Sequence, residues 1–169
     1  LLKQDLINWE LGLPKFVTLF DEGYIKEWNT CDWFCVKVLN PLIKQQGRDC
    51  AVAVMQWCEA ENLWRKRASV VSFVNIAKHG DKNFPSFTPM LLDTCGVVVR
   101  SSERFAQTGV GWCLRELGLS DRDLVIINWI EGNITHFSSE GLRYAIKKFP
   151  LDLQKQLKQY RQEKLKSQK

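Results

Sequence analysis

The sequence predicts an all-α fold, an α-α superhelix in which antiparallel helix hairpins stack as a helical-repeat solenoid with one concave face. Apolar residues recur at helical spacing over most of the chain, while strand-like alternation is nearly absent, Val97, Val98 and Val99 forming the main β-branched run. Pairing the candidate helices in order puts the second member of each hairpin near Asn29, Asn62, Ser102 and Ser138. That is a period of roughly 33 to 41 residues, within the range of two-helix repeats. A single hairpin cannot bury its apolar face alone, so neighbours must stack and the second helices must line one side.

In chain order the periodicity predicts helices over 14–25, 29–45, 48–58, 62–78, 87–99, 102–117, 121–131, 138–148 and 151–166. Ser120 with Asp123 three residues on has the form of a capping box, and Ser138 sits between Phe137 and Leu142 at hydrophobic-staple spacing. Gly118 and Gly132 read as helix stops, and Pro85, Pro89 and Pro150 as starts or breaks. Residues 1–169 read as one domain, and the opening Leu1 as the start of an N-terminally truncated fragment.

With 45% hydrophobic and 25% charged residues, the composition is that of an ordinary globular protein and excludes a disordered or collagenous chain. Most of the net charge of +5 sits in a basic C-terminal helix or tail, 151–169, where Lys155, Lys158, Arg161, Lys164, Lys166 and Lys169 face only Asp152 and Glu163. Such a tail suits nucleic acid or an anionic surface, and equally a solvated terminal helix. Six cysteines without a CxxC pair argue against a disulfide framework or a zinc site and read as reduced thiols of an intracellular protein. With His79 and His136 the only histidines, no metal or other cofactor is expected. No apolar run reaches membrane-spanning length, so no membrane partner is expected either.

Two charges interrupt apolar helical stripes. Arg67 falls on the face running Leu63, Arg67, Val70, Val74 and Ala77, and Asp32 on the face running Trp28, Asp32, Val36 and Leu39. A charge in such a place must be paired or must look into a cleft. Asp32 is three residues past Asn29 and so has the option of capping its own helix, or of pairing with Arg67 from the next hairpin. Trp28, Trp64 and Trp112 read as core tryptophans or as part of the same cleft.

The segments EWNTCDWF at 27–34, NLWRKRASV at 62–70 and QTGVGWCLREL at 107–117 resemble, in order, the signature regions of AlkD-like DNA alkylation repair glycosylases, a HEAT-like or ARM-like repeat family. Trp28 with Asp32 matches W-x-x-x-D, Trp64 with Arg67 matches W-x-x-R, and Gly111, Trp112, Leu114, Arg115 and Glu116 match G-W-x-L-R-E. The similarity continues through SSEGLRYAIKK at 138–148. It implies that Asp32 is the catalytic carboxylate, that Trp28 and Trp112 flank the deoxyribose of a lesion, and that Arg67 holds a phosphate. It further implies excision of cationic alkylated purines of the 3-methyladenine and 7-methylguanine type from duplex DNA, without a conventional base-flipping pocket. The family normally carries further N-terminal helices, where this sequence has a stub including Trp9.

No lysine stands out for Schiff-base chemistry, so the glycosylase that the resemblance implies is expected to be monofunctional; a monomer is expected. Lys66, Arg104, Arg143 and Lys147 are candidate DNA contacts beside Arg67, while Arg115 next to Glu116 suggests an ion pair. Gly109 and Gly111 suggest close helix packing. The alternatives are a non-catalytic DNA-binding repeat protein and a protein-interaction scaffold.

Overall fold

The computed structural model describes residues 8–118 and 123–168, with the backbone alone at Asp123. It is all-helical, with no strand among the described residues.

Helix α1, Trp9–Asp21, begins at Asn8, whose carboxamide oxygen accepts the N–H groups of Glu10 (2.8 Å) and Leu11 (3.3 Å). The expected 14–25 is therefore displaced toward the N-terminus, with Pro14 inside the helix. The cap satisfies two of the orphan donors of the first turn, which offsets the N–H that Pro14 lacks. Helix α2, Trp28–Phe34, runs through a widened π-helical turn, Cys35–Leu39, into α3, Asn40–Gln46. The widening has a cause in Pro41, whose ring would strike the Lys37 carbonyl in a regular helix; instead the Asn40 N–H reaches back five residues to the Cys35 carbonyl.

Helix α4, Arg48–Met55, ends in a tight turn at Gln56–Glu59. Helix α5, Leu63–Val71, stops well before the expected residue 78. Beyond Val71 the backbone tightens to three-residue hydrogen bonds, Phe73 to Val70 and Val74 to Val71. There the Asn40 amide donates to the Ser72 carbonyl (2.8 Å), an acceptor that a longer helix would use, while the Ser72 hydroxyl adds a second bond (2.7 Å) to the Ala68 carbonyl, which already accepts the Ser72 N–H.

Helices α6, Phe87–Val98, α7, Arg104–Leu117, and α8, Asp123–Gly132, follow. The cap expected at Ser120 lies outside the described residues. Helix α9, Ser139–Ala145, starts on Ser138, whose Oγ accepts the Gly141 N–H at 2.9 Å, with Phe137 and Leu142 both buried beside it. Helix α10, Leu151–Lys166, closes the chain.

The helices that begin the predicted second members pack in series, α2 on α5, α5 on α7 and α7 on α9, as a helical-repeat fold requires. Their register is pinned by buried polar groups. The Gln107 amide nitrogen shares its two protons among the carbonyls of Val99 (2.5 Å), Ser101 (2.9 Å) and His136 (2.9 Å), while its oxygen accepts the Ser138 N–H (2.9 Å).

Helices α7 and α9 meet at Gly111, where a Cβ would collide with the Gly141 carbonyl oxygen and come within 2.6 Å of the Tyr144 Cβ. Because backbone has to yield, Gly111→Ala is expected to cost about 1–3 kcal/mol. An unchanged melting temperature would show that α9 is free to move away.

All six cysteines are free and buried. Burial pushes the Cys50 thiol up from 9.0 to about 12 and raises that of Cys58, while hydrogen bonding to Cys35 and Cys113 raises Cys31 and Cys95 respectively. The folded chain then keeps thiol protons that the unfolded chain loses above pH 9, so this stabilisation is complete below pH 9 and declines as pH rises toward 12. Melting temperatures are expected to fall above pH 9, and less steeply in Cys50→Ala; identical slopes in both proteins would refute the thiol origin.

Candidate active site

Helices α2, α5, α7 and α9 enclose an open cleft of about 530 Å³. Trp28 and Asp32 lie one turn apart on α2, so both face it. Asp32 does not cap its helix, because Glu27 holds that position and its carboxylate accepts the Thr30 hydroxyl instead. Arg67 comes from α5, Arg104, Phe105, Thr108, Trp112 and Arg115 from α7, and Tyr144 from α9.

At the wall of the cleft Asp32 and Arg67 form a two-pronged ion pair, Nε to Oδ1 at 2.7 Å and Nη2 to Oδ2 at 2.9 Å. The remaining nitrogen, Nη1, donates to the Phe105 carbonyl (2.5 Å) and the Thr108 hydroxyl (3.2 Å). Every guanidinium nitrogen thus donates to a protein oxygen. The residue is only 5% exposed, whereas the Asp32 side chain is 16% exposed. Gly109 makes this burial feasible, since a Cβ there would stand 3.2 Å from Nη1. Sequence left Arg67 between a phosphate grip and a pair with Asp32; in the folded chain the pair is formed.

Trp28 is 53% exposed at the cleft, and Trp112 is half-buried in its lining. Trp64 stands behind, half-buried and packed against Phe105 at 5.1 Å between ring centroids. Arg104 reaches the cleft as an exposed side chain, paired through two nitrogens with Glu140 (2.7 and 2.9 Å) and stacked over Phe105. Its hydrogen bonds hold the Glu140 carboxyl below the ordinary value.

The other candidate cations are distributed differently. Arg143 and Lys147 line a neighbouring basic cleft that shares Arg115 and Tyr144 with the first. Lys66 lines neither cleft. Arg115 is paired with Glu116 at 2.9 Å, as its sequence neighbour suggested. No group of metal-ligating side chains occurs among the described residues, and no described helix is long and apolar enough to cross a membrane.

Phe105, Thr108 and Tyr144 were not singled out from sequence. Their only signal was position: Thr108 precedes Trp112 by one turn, and Tyr144 lies inside the fourth similar segment.

No curated protein and no solved structure gives a significant match. A family model described as DNA alkylation repair enzyme matches residues 11–149, which takes in every residue lining the Asp32 cleft. With most of its length covered, including the helices that build the site, the chain belongs to the DNA alkylation repair enzyme family.

Proposed function

We propose that the protein is a monofunctional DNA glycosylase that hydrolyses the N-glycosidic bond of cationic alkylated purines in duplex DNA. The observation that carries this reading is a carboxylate fixed by two hydrogen bonds in a cleft that also holds Trp28 and Trp112.

Alkylation at N3 of adenine or N7 of guanine makes the base cationic, so it leaves as a neutral molecule and needs little acid catalysis. As the C1′–N bond breaks, positive charge passes to the sugar. A preorganised carboxylate stabilises that charge more than it stabilises the ground state. Arg67 occupies one acceptor site on each Asp32 oxygen and leaves the other sites for a water. That water adds to C1′ as the bond opens, and its proton passes through the carboxylate to solvent. Indole faces at Trp28 and Trp112 would add cation–π attraction of about 0.5–2 kcal/mol each.

In this reading Arg67 is a positioning residue, which holds Asp32 in one rotamer. Arg104, exposed in the lining of the cleft, would have to exchange its Glu140 partner to meet a phosphate, and Arg143 and Lys147 in the neighbouring cleft would meet further ones. Lys66, which lines neither cleft, would add to the positive field around the site. The test is release of methylated purine from alkylated duplex DNA, with abasic sites as the co-product and no strand nicking. Tight, salt-sensitive duplex binding without base release would favour a non-catalytic DNA-binding protein, and absence of both a protein-interaction scaffold.

A further inference from the structure

Between α7, α9 and α10 lies a second cleft, of about 650 Å³, lined by Arg115, Arg143, Tyr144, Lys147, Gln154 and Lys158. Four of the six are cations and none is a carboxylate. Arg115 has Glu116, and Arg143 only a long 3.6 Å contact with Glu140. The ammonium groups of Lys147 and Lys158 have no carboxylate partner among the described residues.

Lys158 is not on a loose tail. Buried Leu157 precedes it, and α10 is fastened near both ends. The Gln154 amide donates to the carbonyls of Phe149 (2.8 Å) and Lys147 (3.3 Å), and Arg161 donates to the Phe137 carbonyl (2.7 Å) and the Ser139 hydroxyl (3.2 Å). Gln154 and Lys158, one turn apart, consequently face the same cleft. Helix α10 lies beyond the family-matched residues, so family membership assigns Lys158 no role.

We infer that this second cleft is a docking site for a backbone phosphodiester of the DNA strand whose nucleotide enters the Asp32 cleft, with Lys147 and Lys158 as its direct contacts. Three observations converge on it. The two clefts adjoin, sharing Arg115 and Tyr144 in their linings, as a sugar and its flanking phosphate adjoin in a strand. Arg67, the cation nearest Asp32, is buried and consumed by protein acceptors. The positive charge left without partners stands next door.

The inference rests on the proposed placement of the nucleotide, and its test separates the two. Binding of a fluorescein-labelled undamaged duplex is measured between roughly 50 and 200 mM salt for the full chain, Lys158→Gln, Lys147→Gln and Lys155→Gln. Lys155 is on the same helix but outside the basic cleft. Lys158→Gln and Lys147→Gln are each expected to reduce the slope of log affinity against log salt by about one, with several-fold weaker binding. Lys155→Gln should change the slope by much less. Equal effects of all three substitutions would reduce the site to general surface charge and overturn the inference, as would an unchanged slope in Lys158→Gln. If the slope changes as expected while the unmodified protein releases no methylated base, the glycosylase reading falls and the phosphate site stands. If base is released but the slope does not respond, the reverse holds.

Discussion

Asp32→Asn is expected to lower the single-turnover rate of methylated-base release by about 10²- to 10³-fold, the usual loss when one preorganised electrostatic group is removed from a site of developing charge. Asparagine has nearly the same shape and keeps one oxygen for the Arg67 fork, so the cleft should remain open and lined by Trp28 and Trp112. What disappears is the negative charge that meets the sugar. The substitution also deprives a buried guanidinium of its counter-ion, and a loss of stability accompanies it. Rates must therefore be measured well below the melting temperature, with the folded fraction checked by circular dichroism. Undiminished release by folded Asp32→Asn would remove this carboxylate from the chemistry.

The second large effect is on stability. Arg67→Met is expected to cost about 3–5 kcal/mol, because it strands a mostly buried carboxylate and leaves the Phe105 carbonyl and Thr108 hydroxyl without their donor. For a chain of this size that corresponds to a fall in melting temperature of roughly 10–15 °C. The double variant Asp32→Asn with Arg67→Met should lose clearly less than the sum of the two single losses, since the pair's interaction can be lost only once. Additive losses would mean that the pair contributes nothing as a pair. Arg67→Lys is expected to fall between, because an ammonium cannot reproduce the planar fork that spans both carboxylate oxygens. If Arg67 acts through Asp32, release should slow in Arg67→Lys at saturating DNA, and adding DNA should not restore it.

Much of this site was legible in advance because helical geometry is local. A four-residue spacing puts Trp28 and Asp32 on one face whatever surrounds them, and a charge on an apolar stripe announces a cleft or a partner. The absence of side chains at Gly109 and Gly111 likewise marked close packing, and each stands where a Cβ would crowd a neighbour, Arg67 or α9. Helix ends were less legible. The expected extension of α5 failed because Asn40, which lies on another helix, takes the Ser72 carbonyl that the next turn would use. The start of α1 was missed because Pro14 outweighed a cap at Asn8 that periodicity does not register.

By itself the sequence determined the all-helical repeat, the order in which the helices stack, and the set of residues from which a cleft had to be built, since each follows from spacings within one helix or one hairpin. Only the tertiary structure decided that Arg67 is spent on Asp32 and on acceptors of a third helix, and that Lys158 joins Lys147 in lining a second cleft. Those outcomes depend on the register of one helix against the next. That register is set by buried contacts such as Gln107 and Gly111, which tie together segments some thirty residues apart and leave no periodic trace in the chain.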